Sequence, residues 1–274
     1  MSLAKALRSK PIMRVDAGQK SARAEDMLAV EEPLEIRVGG RSVAVVMRTP
    51  GHDRELAAGF LVTEGLLQRR DDLLDIVRCV EGRNAADDNA ENVLDVVLAP
   101  GVTVDLVRLT RHVFTSSSCG ICSKASIDAV HAQFAPIAVA LSPRRRVLTE
   151  LPARLMEEQK GFAATGGLHA SALFDVDGRL DVMREDVGRH NALDKVIGQA
   201  FFADGLPLRD RILLVSGRVS FELMQKALAA GIPCVAAISA PTTAAVEFAH
   251  ASGQTLVGFL RGDRMNVYAG TLAE

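Results

Sequence analysis

From Ile212 to Leu260 the chain alternates short apolar runs with segments of helical period, and nothing else in the sequence restricts its fold as tightly. Ile212–Val215 is an unbroken apolar strand, residues 220–230 have a helical pattern, and Gly231 stops it. Residues 233–239 form a second apolar strand, residues 242–252 a second helix and residues 255–260 a third strand. Strands that are apolar without alternation are covered on both faces. A β-α-β-α-β order with short links requires parallel strands joined by right-handed crossovers. Ahead of this unit, residues 168–174 and 179–184 pair around Asp177-Gly178 as a hairpin, and residues 191–202 form a helix. This half is therefore α/β.

The first half is more mixed. Leu34, Ile36 and Val38 alternate with polar residues, Gly39-Gly40 follows, and residues 42–47 return as an apolar run, which predicts a β-hairpin. Pro50-Gly51 breaks the strand, and Asp53 caps a helix reaching Leu67. The acidic stretch 84–92 reads as a surface loop and residues 92–99 as a strand. Ile127, Val130 and Phe134 keep helical spacing. Pro136, Pro143 and the solvated Arg144-Arg145-Arg146 run form a connector between halves. The expected organisation is a flexible segment over 1–30 (with a short helix around 23–30), an α+β part over 31–142, and an α/β part over 143–274, α+β overall.

Composition narrows the function classes. With 274 residues, 48% of them hydrophobic, the chain can bury a sizeable core. A net charge of -2 gives no basic field for nucleic acid, and the absence of Trp with a single Tyr removes stacking platforms for single strands. No stretch approaches a membrane span, and residues 1–10 lack the apolar block of a secretory signal, so the reading is cytoplasmic. Four cysteines in a reducing compartment are available for chemistry or packing.

In open parallel sheets ligands bind beyond the carboxyl ends of the strands. Those ends carry Ser216-Gly217-Arg218, Ser239-Ala240-Pro241 and Arg261-Gly262-Asp263-Arg264. Small residues admit a ligand to the backbone, and arginines offer forked donors to phosphate, so together they suit a phosphorylated, nucleotide-like molecule. The Glu185-Asp186-Val187-Gly188-Arg189-His190-Asn191 stretch concentrates polar groups at a helix start. Asp186 could orient His190, and Arg189 could reach an anion. His169, in an apolar strand, reads as a hydrogen-bonded core residue.

Cys119-Gly120-Ile121-Cys122 is compatible by spacing with zinc, dithiol redox chemistry, sulfur transfer or no chemistry. Structural zinc needs four ligands, usually two close pairs, yet Cys79 and Cys234 stand alone, and Cys234 lies in a buried strand. No His-x-Glu of a zinc deaminase occurs. Lys124 and a following helix start would favour a thiolate at this loop.

Longer motifs add a resemblance. Met47-Arg48-Thr49-Pro50, Gly59-Phe60-Leu61 with Glu64-Gly65, Ser117-Ser118-Cys119-Gly120-Ile121-Cys122 and Thr165-Gly166-Gly167-Leu168-His169 precede the run from Glu185 to Lys195. Ser216-Gly217-Arg218, Ala240-Pro241-Thr242 and the tail from Gly258 to Tyr268 follow. From about Glu32 to Tyr268 the chain resembles the formate dehydrogenase accessory sulfurtransferases, the FdhD family. The resemblance implies a cytidine deaminase-like C-terminal part without zinc, and a homodimer. It implies a sulfur carrier that takes a persulfide from a cysteine desulfurase onto Cys119, with Cys122 as helper. The sulfur then passes to the molybdenum bis-guanine-dinucleotide cofactor, bound as substrate, on its way to the formate dehydrogenase catalytic subunit. The family's cofactor-binding stretch corresponds to Phe259, Leu260, Arg261, Gly262, Asp263 and Arg264, beside Ser216, Gly217, Arg218, Arg189 and His190. A chaperone that binds the guanine-nucleotide-type ligand without transferring sulfur is the alternative.

Overall fold

A computed structural model describes residues 3–17, 21–79, 92–102 and 123–274. The apolar runs of the second half form a six-stranded sheet in the order β12-β11-β10-β9-β7-β8. Its centre is parallel as expected: β9 (Ile212–Val215), β10 (Cys234–Ala237) and β11 (Thr255–Arg261). The β7–β8 hairpin (His169–Phe174, Leu180–Asp186) flanks β9 antiparallel to it. On the other edge β12 (Arg264–Ala269) folds back on β11. Alternation sends Leu213, Val215, Val235 and Ala237 into one core, and Ile212, Leu214, Cys234 and Ala236 into a second on the opposite face. Both faces are covered, which is why these strands read as continuous apolar runs.

The first half supplies a four-stranded sheet, β4-β3-β6-β5. It contains the expected hairpin, β3 (Glu32–Val38) with β4 (Arg41–Arg48), then β5 (Leu73–Arg78) and β6 (Val93–Leu98). Between the sheets lie helices α2 (Asp53–Thr63) and α6 (Arg189–Phe202), numbered after a helical turn α1 (Leu3–Ala6), α3 (Ser123–Gln133), α4 (Arg145–Glu158) and α5 (Lys160–Thr165). Helices α7 (Phe221–Ala229) and α8 (Thr243–Ser252) make the crossovers. One core cluster runs from Leu34 through Leu61 and Leu193 to Leu256, so both sheets share it.

The contact of α2 with α6 is made backbone to backbone. A methyl group built on Gly59 would stand 1.8 Å from the Asp194 carbonyl oxygen, and one on Gly198 would stand 1.8 Å from that of Glu55. Two glycines remove the side chains that would otherwise hold the helices 8–10 Å apart.

Four expectations need correction. Residues 1–30 contain β1 (Leu7–Arg14) paired with β2 (Ala22–Ala29), so a strand replaces the expected helix over 23–30. Cross-strand pairing overrides the weak helical propensity of this stretch. The arginine-rich connector is largely α4, which buries Val147, Leu148, Leu151 and Leu155 against the outer face of the six-stranded sheet despite Pro152. Helix α2 ends at Thr63, because Gly65 turns the chain at φ +73. Finally, Asp53 is not a cap: it lies inside the helix and binds Arg48 and Arg78.

Candidate functional site

The run from Glu185 to Lys195 divides between two tasks. Its deeper members bolt the halves of the molecule together. Asp186 and Lys195 are fully buried and 2.7 Å apart. Asp186 accepts the Thr49 amide (3.1 Å), and Lys195 donates to the Thr49 carbonyl (2.8 Å). The Val187 amide donates to the Thr49 hydroxyl (3.2 Å), and Asn191 Nδ2 to the Met47 carbonyl (2.7 Å). Nearby Lys226 donates to both Asp194 (2.9 Å) and Thr63 (2.9 Å), again deep in the core. Burial pushes the Asp194 carboxyl up to about 6, with Lys226 opposing the rise. For Lys226, burial alone would lower its pKa, but Asp194 and then Glu64 and Glu222 raise it. Such pairs are retained because removing one member strands the other in a dry interior.

Asp186 therefore does not orient His190 as expected; its oxygens are taken by Lys195, Thr49, Gly188 and Asn191. His190 turns to the crossover instead. Its Nε2 lies 3.2 Å from the Ser220 hydroxyl and 3.6 Å from a Glu222 carboxylate oxygen. Burial, opposed by Glu222 and reinforced by Arg189, Lys226 and His169, holds its pKa down to about 4.

The exposed task belongs to the strand ends. Ser216 extends the sheet by accepting the Ala170 amide on its hydroxyl (2.9 Å), while Arg218 is exposed. At the buried Gly217 a methyl group would lie 3.3 Å from His169 Nδ1 and 3.6 Å from Arg189 Cδ. The missing side chain thus lets an imidazole and a guanidinium stem converge on one backbone step. The His169 ring is half-buried with no hydrogen-bond partner among the described residues, contrary to the expected core role. Its pKa is lowered, by burial first and by Arg189 second, against Asp186. Arg189 Nε is buried and also unpartnered among the described residues. Arg189 opens α6, whose N-cap Gly188 offers no side-chain cap. A helix start with free amides beside an unmatched guanidinium suits an anion. The sequence signals for His169 were its place in the Thr165-Gly166-Gly167-Leu168-His169 motif and at the start of a strand.

Next along the sheet, Val219 donates to the Ala240 carbonyl and bridges to Pro241, and the Phe259 amide donates to the Ser239 carbonyl (3.0 Å). Phe259 is held at φ +52 with its ring 40% exposed. A bulky residue in this left-handed region is strained, and such strain gathers at functional positions. Arg261 and Arg264 pair across a turn at Gly262-Asp263, and all four are exposed. Leu260 departs from the expected binding stretch: its side chain is in the second core. The ends from β7 to β11 thus form a continuous rim about 14 Å wide at about 4.8 Å per strand, long enough for a nucleotide. Arginines 189, 218, 261 and 264 punctuate it.

Cys119 and Cys122 lie outside the described residues, which resume at Ser123 with α3. Cys234 matches the expected inert thiol: burial pushes it up to about 12. No helix among the described residues is long and apolar enough to cross a membrane.

Comparison with known proteins gives one consistent result. Residues 29–273 match the model of the FdhD/NarQ family. The chain is 55% identical over 262 residues to the sulfur carrier protein FdhD of Mycobacterium tuberculosis, covering 94% of each chain. It is 53% identical over 265 residues to that of Streptomyces coelicolor, covering 95% of this chain and 93% of the relative. A crystal structure of a protein described as a formate dehydrogenase accessory protein, from Desulfotalea psychrophila, superposes with a TM-score of 0.74 over 97% of both chains. At 23% identity that likeness speaks for the fold.

Proposed function

Since this chain belongs to the FdhD/NarQ family, we propose that it is a sulfur carrier in the maturation of formate dehydrogenase. The observation that carries the reading is the 55% identity, over nearly the full length of both chains, to a protein named as a sulfur carrier. In this reading the Cys119 thiolate attacks the outer sulfur of a persulfide on a cysteine desulfurase, and the desulfurase leaves as its thiolate. Cys122 assists as a second thiol. For delivery, the Cys122 thiolate attacks the inner sulfur of the Cys119 persulfide, a Cys119–Cys122 disulfide forms, and the outer sulfur leaves as hydrosulfide for the molybdenum bis-guanine-dinucleotide cofactor, which is the substrate here.

The strand-end rim is the place for that substrate's guanine nucleotide. Arg189 would meet phosphate with a guanidinium that no described residue neutralises. Arg218, Arg261 and Arg264 are exposed along the same rim and would add charge. The Phe259 ring, held outward by its backbone, offers an apolar face to a base. The buried seam supports this rim: Asp186–Lys195 fixes the turn from which Arg189 and His190 emerge.

Mass spectrometry after incubation with a cysteine desulfurase and cysteine is the direct test. The wild type gains one sulfur atom, and Cys119→Ala does not. An undiminished adduct in Cys119→Ala rules out Cys119 as acceptor. Guanine-nucleotide binding with full function after both cysteines become alanine would favour the non-catalytic chaperone.

A further inference from the structure

We infer, resting on the nucleotide-platform reading, that His169 is the proton acceptor of the phosphate subsite: a phosphate settling against Arg189 draws a proton onto the His169 imidazole. The geometry supplies the pieces. Arg189 Nε is buried without a partner among the described residues. Gly217 has no side chain, so the His169 ring and the Arg189 stem both come close to its backbone: a methyl group there would stand 3.3 Å from His169 Nδ1 and 3.6 Å from Arg189 Cδ.

Local charge then decides the chemistry. The carboxylate opposite His169 is Asp186 on β8, and it is already matched by Lys195 at 2.7 Å. From α6 the facing groups are Arg189 and His190, whose Nε2 is engaged by Ser220 and lies 3.6 Å from Glu222. The end of β9 contributes Ser216 and Gly217, neither of them charged, and after them Arg218, which is exposed. Among the described residues the subsite therefore has one positive charge without a paired carboxylate, Arg189, beside an imidazole whose pKa burial and Arg189 lower. The pyrophosphate of a guanine dinucleotide carries two negative charges at neutral pH, one on each phosphate, and Arg189 offsets one of them. Protonating His169 cancels the remainder and turns an idle ring nitrogen into a donor to phosphate. His190, more deeply held and already bonded, is the poorer acceptor.

Calorimetric titration with GDP at about pH 7.5, in two buffers of different ionisation enthalpy, measures the proton directly. The expected result is net proton uptake on binding, with affinity falling by up to about tenfold per pH unit as pH rises. His169→Gln should still bind GDP, with the uptake lost and the pH dependence flattened. A shift of the His169 ring proton resonance on adding GDP to the wild type tests the same point without a variant. GDP binding with no uptake, or uptake undiminished in His169→Gln, overturns the inference and leaves the nucleotide platform standing. No GDP binding at any pH overturns both.

Discussion

Substituting Gly198 by Ala in the middle of α6 separates two opposing forces. Helix propensity alone makes it stabilising by about 1 kcal/mol, since Gly costs a helix that much relative to Ala. The packing says otherwise. The new methyl group would lie 1.8 Å from the Glu55 carbonyl oxygen and 2.6 Å from its carbon, so the two helix backbones must move apart by about 1 Å or more. Overpacking of a core costs about 1–3 kcal/mol, and a stiff backbone neighbour places this site at the upper end. The net expectation is a loss of about 2 kcal/mol, or a Tm lowered by about 4–8 °C for a chain of this size. Gly59→Ala strikes the same crossing from the other side, 1.8 Å from the Asp194 carbonyl. Once one substitution has spread the helices the second costs less, so the double variant should lose less than the two losses combined. Urea unfolding of the three variants beside the wild type measures all of this. A Gly198→Ala protein as stable as the wild type or more so would refute the close-crossing argument.

Further outcomes follow from the buried pairs and the strained rim. Lys195→Met leaves the Asp186 carboxylate buried and unpaired, so urea unfolding should show a loss of about 3–5 kcal/mol. Burial alone would raise the Glu55 carboxyl, yet Arg184, with His52, holds it at about 2. A carboxyl depressed on folding adds stability that is fully present above its ordinary pKa of about 4.3 and is lost as pH falls toward 2. Glu55→Gln should therefore flatten the acid limb of Tm against pH, and an unchanged limb would contradict it. Phe259→Gly relieves a positive φ worth about 1–2 kcal/mol but gives up the buried part of a side chain that is 40% exposed, a loss of about the same size, so thermal stability should change little. The same variant should bind GDP more weakly in a calorimetric titration, because it removes the exposed ring.

Much of the second half was legible because its strands are buried on both faces, and nothing but a covered parallel sheet suits runs such as Ile212–Val215. The β12 strand was not, since it lies at the sheet edge with half of its side chains exposed and shows no clear period. Helix α4 was hidden by Pro152 and its arginines, although Val147, Leu151 and Leu155 lie at helical spacing. Within the site, the strand ends were found by rule. The division of labour inside Glu185–Lys195 was not, because Asp186 and Lys195 act on Thr49, 137 and 146 residues away. A dense polar run looks alike in sequence whether it grips a ligand or a distant strand. Gly59 and Gly198 likewise show in sequence as isolated helix glycines, and only the fold reveals that they face each other's helix.

Formate dehydrogenase activity, in cells lacking their own copy of this protein and complemented with wild type or Cys119→Ala, tests the sulfur-carrier account most directly. The account predicts activity restored by the wild type and absent with Cys119→Ala at equal protein level. Full activity restored by Cys119→Ala would contradict it.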